Sequence, residues 1–209
     1  MTDSTYDIVK RGIDIFFSLF LLIFFLPVWF IVPLLIYFDS PGPIIYRHRR
    51  IGKNKKPFNM LKFRSMVQNA DEILYQKNPR LLQKFKDGDW KLANDPRITK
   101  LGKLLRSLTI DEFPQLLNVL KGDMSLVGPR AYTNQEIKEQ TKKYPKTKPL
   151  VKDVLKTKPG ITGVWQTSGR NEIPFDKRAQ MDSKYARSKS IQKDLAIIFK
   201  TPKAMISKW

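Results

Sequence analysis

The sequence predicts an α+β protein: an N-terminal segment seated in a membrane, then a small, mostly helical domain with short strands. Three observations carry this. Residues 15–38 form an uncharged apolar run, short alternating stretches interrupt helical patterns further on, and a formal charge of +20 is spread along a chain of 209 residues. That length suffices for one compact domain with its own core. The charge calls for an anionic partner, whether a phospholipid leaflet, a nucleic acid or a phosphorylated substrate. Cysteine is absent, which removes disulfides, thiol nucleophiles and thiolate metal sites from consideration. The one histidine, His48, lies inside a basic run, so a hydrolase built on a histidine base is disfavoured.

As a helix the apolar run would reach ~36 Å, enough for a hydrocarbon core of ~30 Å. It is too long for the apolar region of a signal peptide, and no small-residue cleavage site follows it. Pro27 falls mid-run, where it removes a helical hydrogen bond and bends the chain into two halves of ~12 residues, each too short to cross alone. Lys10 and Arg11 precede the run, and Arg47, His48, Arg49, Arg50 and Lys53 follow it, so both flanks favour the cytoplasmic side. Proline also occurs in ordinary spanning helices, so a straight span and a re-entrant hairpin both fit.

Asp39-Ser40-Pro41-Gly42-Pro43 is a turn signal that ends the membrane segment, and Ile44, Ile45 and Tyr46 read as a short strand. The basic cluster after it is expected to meet anionic headgroups, at ~1 kcal/mol per residue near the surface. Residues 58–66 alternate as a half-buried strand does, with Lys62 and Arg64 on one face, able to clamp a diphosphate. Residues 70–85 look helical, interrupted at Asn78-Pro79, and Asp87-Gly88-Asp89 is a loop.

The segment 105–130, LRSLTIDEFPQLLNVLKGDMSLVGPR, organises the rest. Asp111 and Glu112 stand just ahead of a short apolar helix that Pro114 opens and Gly122 closes. Two carboxylates there lie beside free backbone N–H groups at a helix N-terminus. A capping box from Thr109 to Glu112 has the right spacing, but Pro114 lacks the N–H that such a helix would need at its fifth position. After a turn, a short strand leads to Gly128-Pro129-Arg130. Residues 140–158 are lysine-dense and broken by prolines, as a solvated loop would be. In residues 158–171, Gly160, Gly163 and Gly169 allow close backbone approach, while Gln166, Arg170 and Asn171 suit a polar ligand. The C-terminal stretch 191–209 carries an apolar stripe compatible with core packing or with a helix in the membrane interface; Pro202 is expected to split it in two.

Taken together, the 105–130 segment, DSPGPIIYRHRRIG, FNMLKFRSM, DPRITKLG, KPGITGVWQTSGRN and the Asp182/Tyr185 pair resemble, in order and over nearly the whole chain, the bacterial sugar transferase family of small monotopic phosphoglycosyl transferases. The resemblance implies a re-entrant helix–break–helix over residues 1–40, broken at Pro27, and a cytoplasmic catalytic domain over 41–209 with interfacial helices. It places the protein at the bacterial cytoplasmic (inner) membrane. It implies transfer of a sugar-1-phosphate from a UDP-sugar to polyprenol (undecaprenyl) phosphate with release of UMP, the first step of surface polysaccharide assembly.

In that reading Asp111 is the nucleophile, Glu112 assists, and both hold Mg²⁺, which suits hard oxygen ligands. The expected substrate-binding residues are Lys62, Arg64, Arg106, Arg130, Gln166, Arg170, Asp182 and Tyr185. Cationic surroundings are expected to keep Asp111 ionised. The family commonly carries a second proline after the arginine of Gly-Pro-Arg; Ala131 stands there instead. The insert near residues 78–99 leans the sugar toward glucose or galactose, as in larger relatives whose further N-terminal membrane helices are not expected here. A membrane-anchored nucleic-acid-binding module is the rival that the charge admits, but no nucleic-acid-binding motif accompanies it, so no nucleic-acid partner is expected. Oligomeric state is left open, homo-oligomers included.

Overall fold

The computed structural model describes residues 3–90, 92, 94–169 and 173–205. Helix α1 (Asp3–Phe24) and helix α2 (Leu26–Asp39) meet at a bend of 63°. The break falls at Phe25, two residues ahead of Pro27, which takes a place in the first turn of α2 where a missing N–H costs nothing. Backbone bonds cross the joint from both sides: Phe25 N–H donates to Leu21 O (3.0 Å) and Val28 N–H to Phe25 O (2.9 Å). The first arm is longer than half the apolar run because the polar residues before it are helical too. Among the described residues no single helix is long and apolar enough to cross a membrane, whereas the bent pair together passes on length and composition.

The polar foot of α1 is fastened to the helices and strands of the basic domain. Arg11 donates to Val119 O and Leu120 O (2.6 and 2.7 Å), Asp14 accepts from the Ser125 hydroxyl and the Leu126 N–H (both 3.0 Å), and Lys10 pairs with Asp194 (2.9 Å). Further along, α2 buries Val32 and Ile36 against Phe63 and Leu105. The outward faces of both helices are different. Phe16, Phe20, Ile23, Phe24, Phe30, Leu34 and Phe38 are among many large apolar side chains left exposed there.

Strand β1 (Ile45–Ile51) pairs antiparallel with β2 (Pro57–Phe63), with Tyr46 opposite Lys62 and Arg50 opposite Phe58. Thus β1 runs on through the basic cluster that the sequence assigned to headgroups. Arg47 and Arg49 are exposed, but Arg50 is buried in an ion pair with Glu136 (3.1 Å). Helices α3 (Ala70–Glu72) and α4 (Pro79–Asp87) flank a π-helical turn, and Asn78 caps α4, matching the interruption read there. Helix α5 (Lys100–Ser107) leads through a tight turn to α6 (Gln115–Lys121), which Gly122 closes in the left-handed conformation at φ 85°.

Strand β3 (Ser125–Val127) pairs in parallel with β4 (Gly160–Thr162). Between them, the lysine-dense stretch is not a loop: it forms α7 (Asn134–Lys143) and α8 (Lys148–Val154). Pro145 and Pro149 sit in first turns, where proline starts helices rather than breaking them. Helix α9 (Phe175–Arg187) follows, then α10 (Ile191–Met205), which continues through Pro202 instead of splitting. Phe199 is 80 % exposed on α10, whereas Ile197 is buried. Ile206 and Trp209 lie outside the described residues.

Asn118 locks α6 to the sheet. Its Oδ1 accepts from Leu61 N–H (2.9 Å) and its Nδ2 donates to Asn59 O (2.8 Å), while the side chain is buried together with Gln115, Leu116 and Val119. Asn118→Leu leaves two backbone groups of β2 unpaired, an expected cost of about 2–4 kcal/mol. A fall of several degrees in the thermal midpoint checks this; an unchanged midpoint would show that the bonds are replaceable.

Candidate active site

Thr109 takes a left-handed conformation (φ 59°), and residues Ile110–Glu112 form one tight helical turn before Phe113, Pro114 and α6. The capping box does not form; the Thr109 hydroxyl donates instead to Met205 O (3.0 Å). Pro114 is the residue just before α6, so the carboxylates stand on a separate turn, as the position of the proline required.

Lys62 reaches this turn from β2. Its Nζ lies 2.6 Å from Glu112 Oε1 and 4.0 Å from Asp111 Oδ2, so one ammonium bridges both acids. Asp111 is 4 % exposed and Glu112 is half-buried. Burial pushes the Asp111 carboxyl up to about 6; Lys62 pulls it down, Glu112 pushes it up and Arg106 pulls it down. Desolvation outweighs the neighbouring cations in setting that value. At neutral pH the carboxylate still predominates.

In metal-free protein, 13C NMR is expected to show Asp111 titrating near 6. Lys62→Met removes the cation that favours the carboxylate, so the midpoint must move further up. A lower midpoint in the variant would contradict the bridging geometry.

The surrounding surface is cationic. His48 and Arg50 share the β-ribbon face with Lys62, because Tyr46, His48 and Arg50 stand opposite Lys62, Met60 and Phe58. The His48 imidazole is pushed down to about 2, first by burial and then by Arg50, Lys62 and Arg130. It is therefore neutral at physiological pH, and with Arg50 Nη2 3.3 Å from Nδ1 the proton belongs on Nε2. Arg130 stands between Glu136 (3.8 Å) and the Trp165 ring (5.8 Å). Gln166 Oε1, close to Gly163, is buried and makes no hydrogen bond, an acceptor left over for a donor.

Of the residues singled out in the sequence, Asp111, Glu112, Lys62 and Arg106 come together, with Arg130 on the adjoining cationic surface. Three others are placed as supports. Arg64 is buried and its guanidinium donates to Ile36 O and Ser40 O, closing the end of α2. Asp182, 1 % exposed, accepts from Arg130 N–H (3.3 Å), and burial pushes its carboxyl up to about 7. Tyr185 is buried and donates to Asp194 (2.6 Å), within the network that anchors α1. Arg170 lies outside the described residues.

Sequence reasoning passed over Asn118, the Arg50–Glu136 pair, and Trp165, which stacks against both Arg130 and Arg178 (5.8 and 5.4 Å). An asparagine inside an apolar helical stripe was the one available signal. Among the described residues no cluster of three or more histidines or acids could hold a metal. Asp111 and Glu112 supply two hard oxygen donors, which fits Mg²⁺ only if phosphate oxygens and water complete the shell.

The sequence pattern of the bacterial sugar transferases matches residues 5–208. The chain belongs to that family. It is 42 % identical over 200 residues to an undecaprenyl-phosphate galactose phosphotransferase of Salmonella typhimurium, covering 95 % of this chain and 40 % of that protein. It is 39 % identical over 197 residues to the exopolysaccharide production protein ExoY of Sinorhizobium fredii, covering 93 % of this chain and 84 % of ExoY. Against a UDP-glucose:undecaprenyl-phosphate glucose-1-phosphate transferase of Escherichia coli it is 36 % identical over 203 residues, covering 93 % of this chain and 39 % of that enzyme. The chain thus spans about two fifths of the two longer relatives and most of ExoY.

Proposed function

We propose that this chain is a phosphoglycosyl transferase that moves a sugar-1-phosphate from a UDP-sugar to polyprenol phosphate through a phosphosugar–Asp111 intermediate. The observation that carries it is a buried carboxylate bridged through Lys62 to a second acid, beside a surface of arginines, in a chain of this family. An Asp111 oxygen attacks the β-phosphorus; the bond from that phosphorus to the bridging oxygen breaks, and UMP leaves with the electron pair. An oxygen of the polyprenol phosphate then attacks the same phosphorus and releases the carboxylate. Lys62 orients both acids and balances charge, and Arg106 and Arg130 offer guanidinium groups to phosphate. Mg²⁺ held by Asp111 and Glu112 would offset the charge of the diphosphate.

The exposed apolar faces of α1 and α2 support insertion into the membrane as a re-entrant pair, with the N-terminus and the basic domain both on the cytoplasmic side of a bacterial inner membrane. Single cysteines introduced at Thr2 and Lys208 should then both resist an impermeant thiol reagent in intact cells and react after lysis. Labelling of the Thr2 site alone from outside would establish a straight span.

For the reaction, the test is UMP release by the purified full chain from UDP-galactose, UDP-glucose and UDP-N-acetylgalactosamine, with undecaprenyl phosphate and Mg²⁺. Turnover on one or more supports the reading, and no release from any of them rejects it for these sugars. The choice among hexoses rests on pocket contacts worth only a few kcal/mol. Nucleic-acid binding, the other class that the charge admits, gains nothing from a buried carboxylate bridged to a second acid.

A further inference from the structure

Where α6 ends, on the side away from Asp111, lies a cleft of about 290 Å³ between the foot of α1, the turn after β1 and the approach to β4. Six cations line it: Lys10, Arg11, Lys53, Lys156, Lys158 and Lys189. Among the described residues only two acids share it, Asp7 and Asp14.

Partners account for some of this charge. Lys10 pairs with Asp194, Lys189 with Asp7 and Lys156 with Asp153. Asp14 is engaged by Ser125 and Leu126. Arg11 donates to the last carbonyls of α6, which satisfies the negative end of a helix of only seven residues. Lys53 and Lys158 remain, with no ion pair or side-chain hydrogen bond among the described residues. A Cβ placed on Gly122 would lie 3.6 Å from Lys158 Nζ and 3.8 Å from Arg11 Nη2, so the ammonium and the guanidinium converge at one spot. Burial lowers the proton affinity of Lys158, and the charges of Arg11 and Lys53 lower it further, while Asp14 and Asp7 oppose them. Bringing these cations together is costly without an anion and favourable with one.

We propose that this cleft is a second anion site, in which Arg11, Lys53 and Lys158 grip one phosphate group distinct from any bound at Asp111. The lysines supply compact charges, and Arg11, fixed in place by the α6 carbonyls, adds a permanent positive charge beside them, a combination that suits phosphate oxygens, and the volume admits a phosphate or diphosphate. Two sources fit this chemistry. One is a soluble phosphate or diphosphate. The other is the headgroup of an anionic lipid, since α1 turns apolar at Ile15, only ~6 Å of helix beyond Arg11. The proposal does not depend on the transferase reading, because none of the three cations belongs to the Asp111 site.

The experiment is the rate at which an amine-acylating reagent modifies each lysine of the full chain, read by mass spectrometry. One arm uses neutral detergent micelles with and without millimolar inorganic pyrophosphate. The other compares nanodiscs of phosphatidylcholine alone with nanodiscs that also contain phosphatidylglycerol. Lys142 and Lys146, exposed and not part of the cleft lining, are the internal references. We expect Lys158 to be protected about fivefold or more by at least one anion while both references stay unchanged. Protection in the first arm identifies a soluble ligand, and protection in the second a lipid headgroup. Lys53→Gln, at an exposed position, should weaken the protection by at least half. No protection in either arm, equal slowing of all lysines, or full protection in Lys53→Gln would overturn the proposal.

Discussion

Asp111→Asn is expected to abolish UMP release, with turnover falling by on the order of 10⁴ or more, as when other covalent nucleophiles are removed. The amide preserves shape but has no anionic oxygen to attack phosphorus. Loss of activity must therefore appear even without polyprenol phosphate, in the first half-reaction. The decisive measurement is incubation with a UDP-sugar radiolabelled in the sugar, followed by denaturation and peptide mass analysis. The wild-type adduct should map to Asp111 and be absent from the variant. Near-normal turnover by Asp111→Asn, or ternary-complex kinetics with no adduct, would return the mechanism to direct transfer.

Glu112→Gln separates the two acids. Glu112 is the nearer of the pair to Lys62, at 2.6 Å against 4.0 Å, and the more exposed. Removing its charge leaves Lys62 free to draw Asp111 closer and takes away a repulsion that raises the Asp111 carboxyl. The variant should thus lose turnover severely yet still trap some adduct.

How far the sequence could be read depends on how local each signal is. The helix ended by Gly122, the Asn78-Pro79 interruption and the strand before Gly128 depend on neighbouring residues, and all three stand as expected. The pairing of Lys62 with Asp111 and Glu112 joins residues about fifty positions apart, and the sequence reading did not contain it; the family resemblance placed Lys62 only among the substrate-binding residues. Where the reading went astray, burial decided the outcome. Arg64 and Arg50 look like surface cations in sequence, yet one closes α2 and the other pairs with Glu136. Three proline signals misled because position within the helix mattered: Pro145 and Pro149 open helices, and Pro202 is carried inside α10, where the Thr201 hydroxyl donates to Ile197 O (2.8 Å).

Gly160→Ala is expected to be strongly destabilising. Strands β3 and β4 are held by Ser125 N–H to Pro159 O and Gly128 N–H to Thr162 O (both 2.9 Å), with Gly160 N–H to Pro129 O (2.8 Å) beyond them. A Cβ at Gly160 would come within 2.1 Å of Gly128 N and 2.5 Å of Thr162 O. Both contacts are backbone atoms, so no side-chain rotation relieves them. The strands must part, which adds lost hydrogen bonds to the overpacking and brings the cost to about 3 kcal/mol or more. The movement would also displace the loop that carries Arg130, whose N–H is tied to Asp182. The expected readout is a thermal midpoint lower by on the order of 10 °C. Gly12→Ala is the matched control: nothing lies within 4 Å of its Cβ on α1, so the same methyl should stabilise by about 0.5–1 kcal/mol. Equal midpoints for the two variants would mean that β3 and β4 tolerate a wider spacing, and the close backbone approach would then not be what positions Arg130.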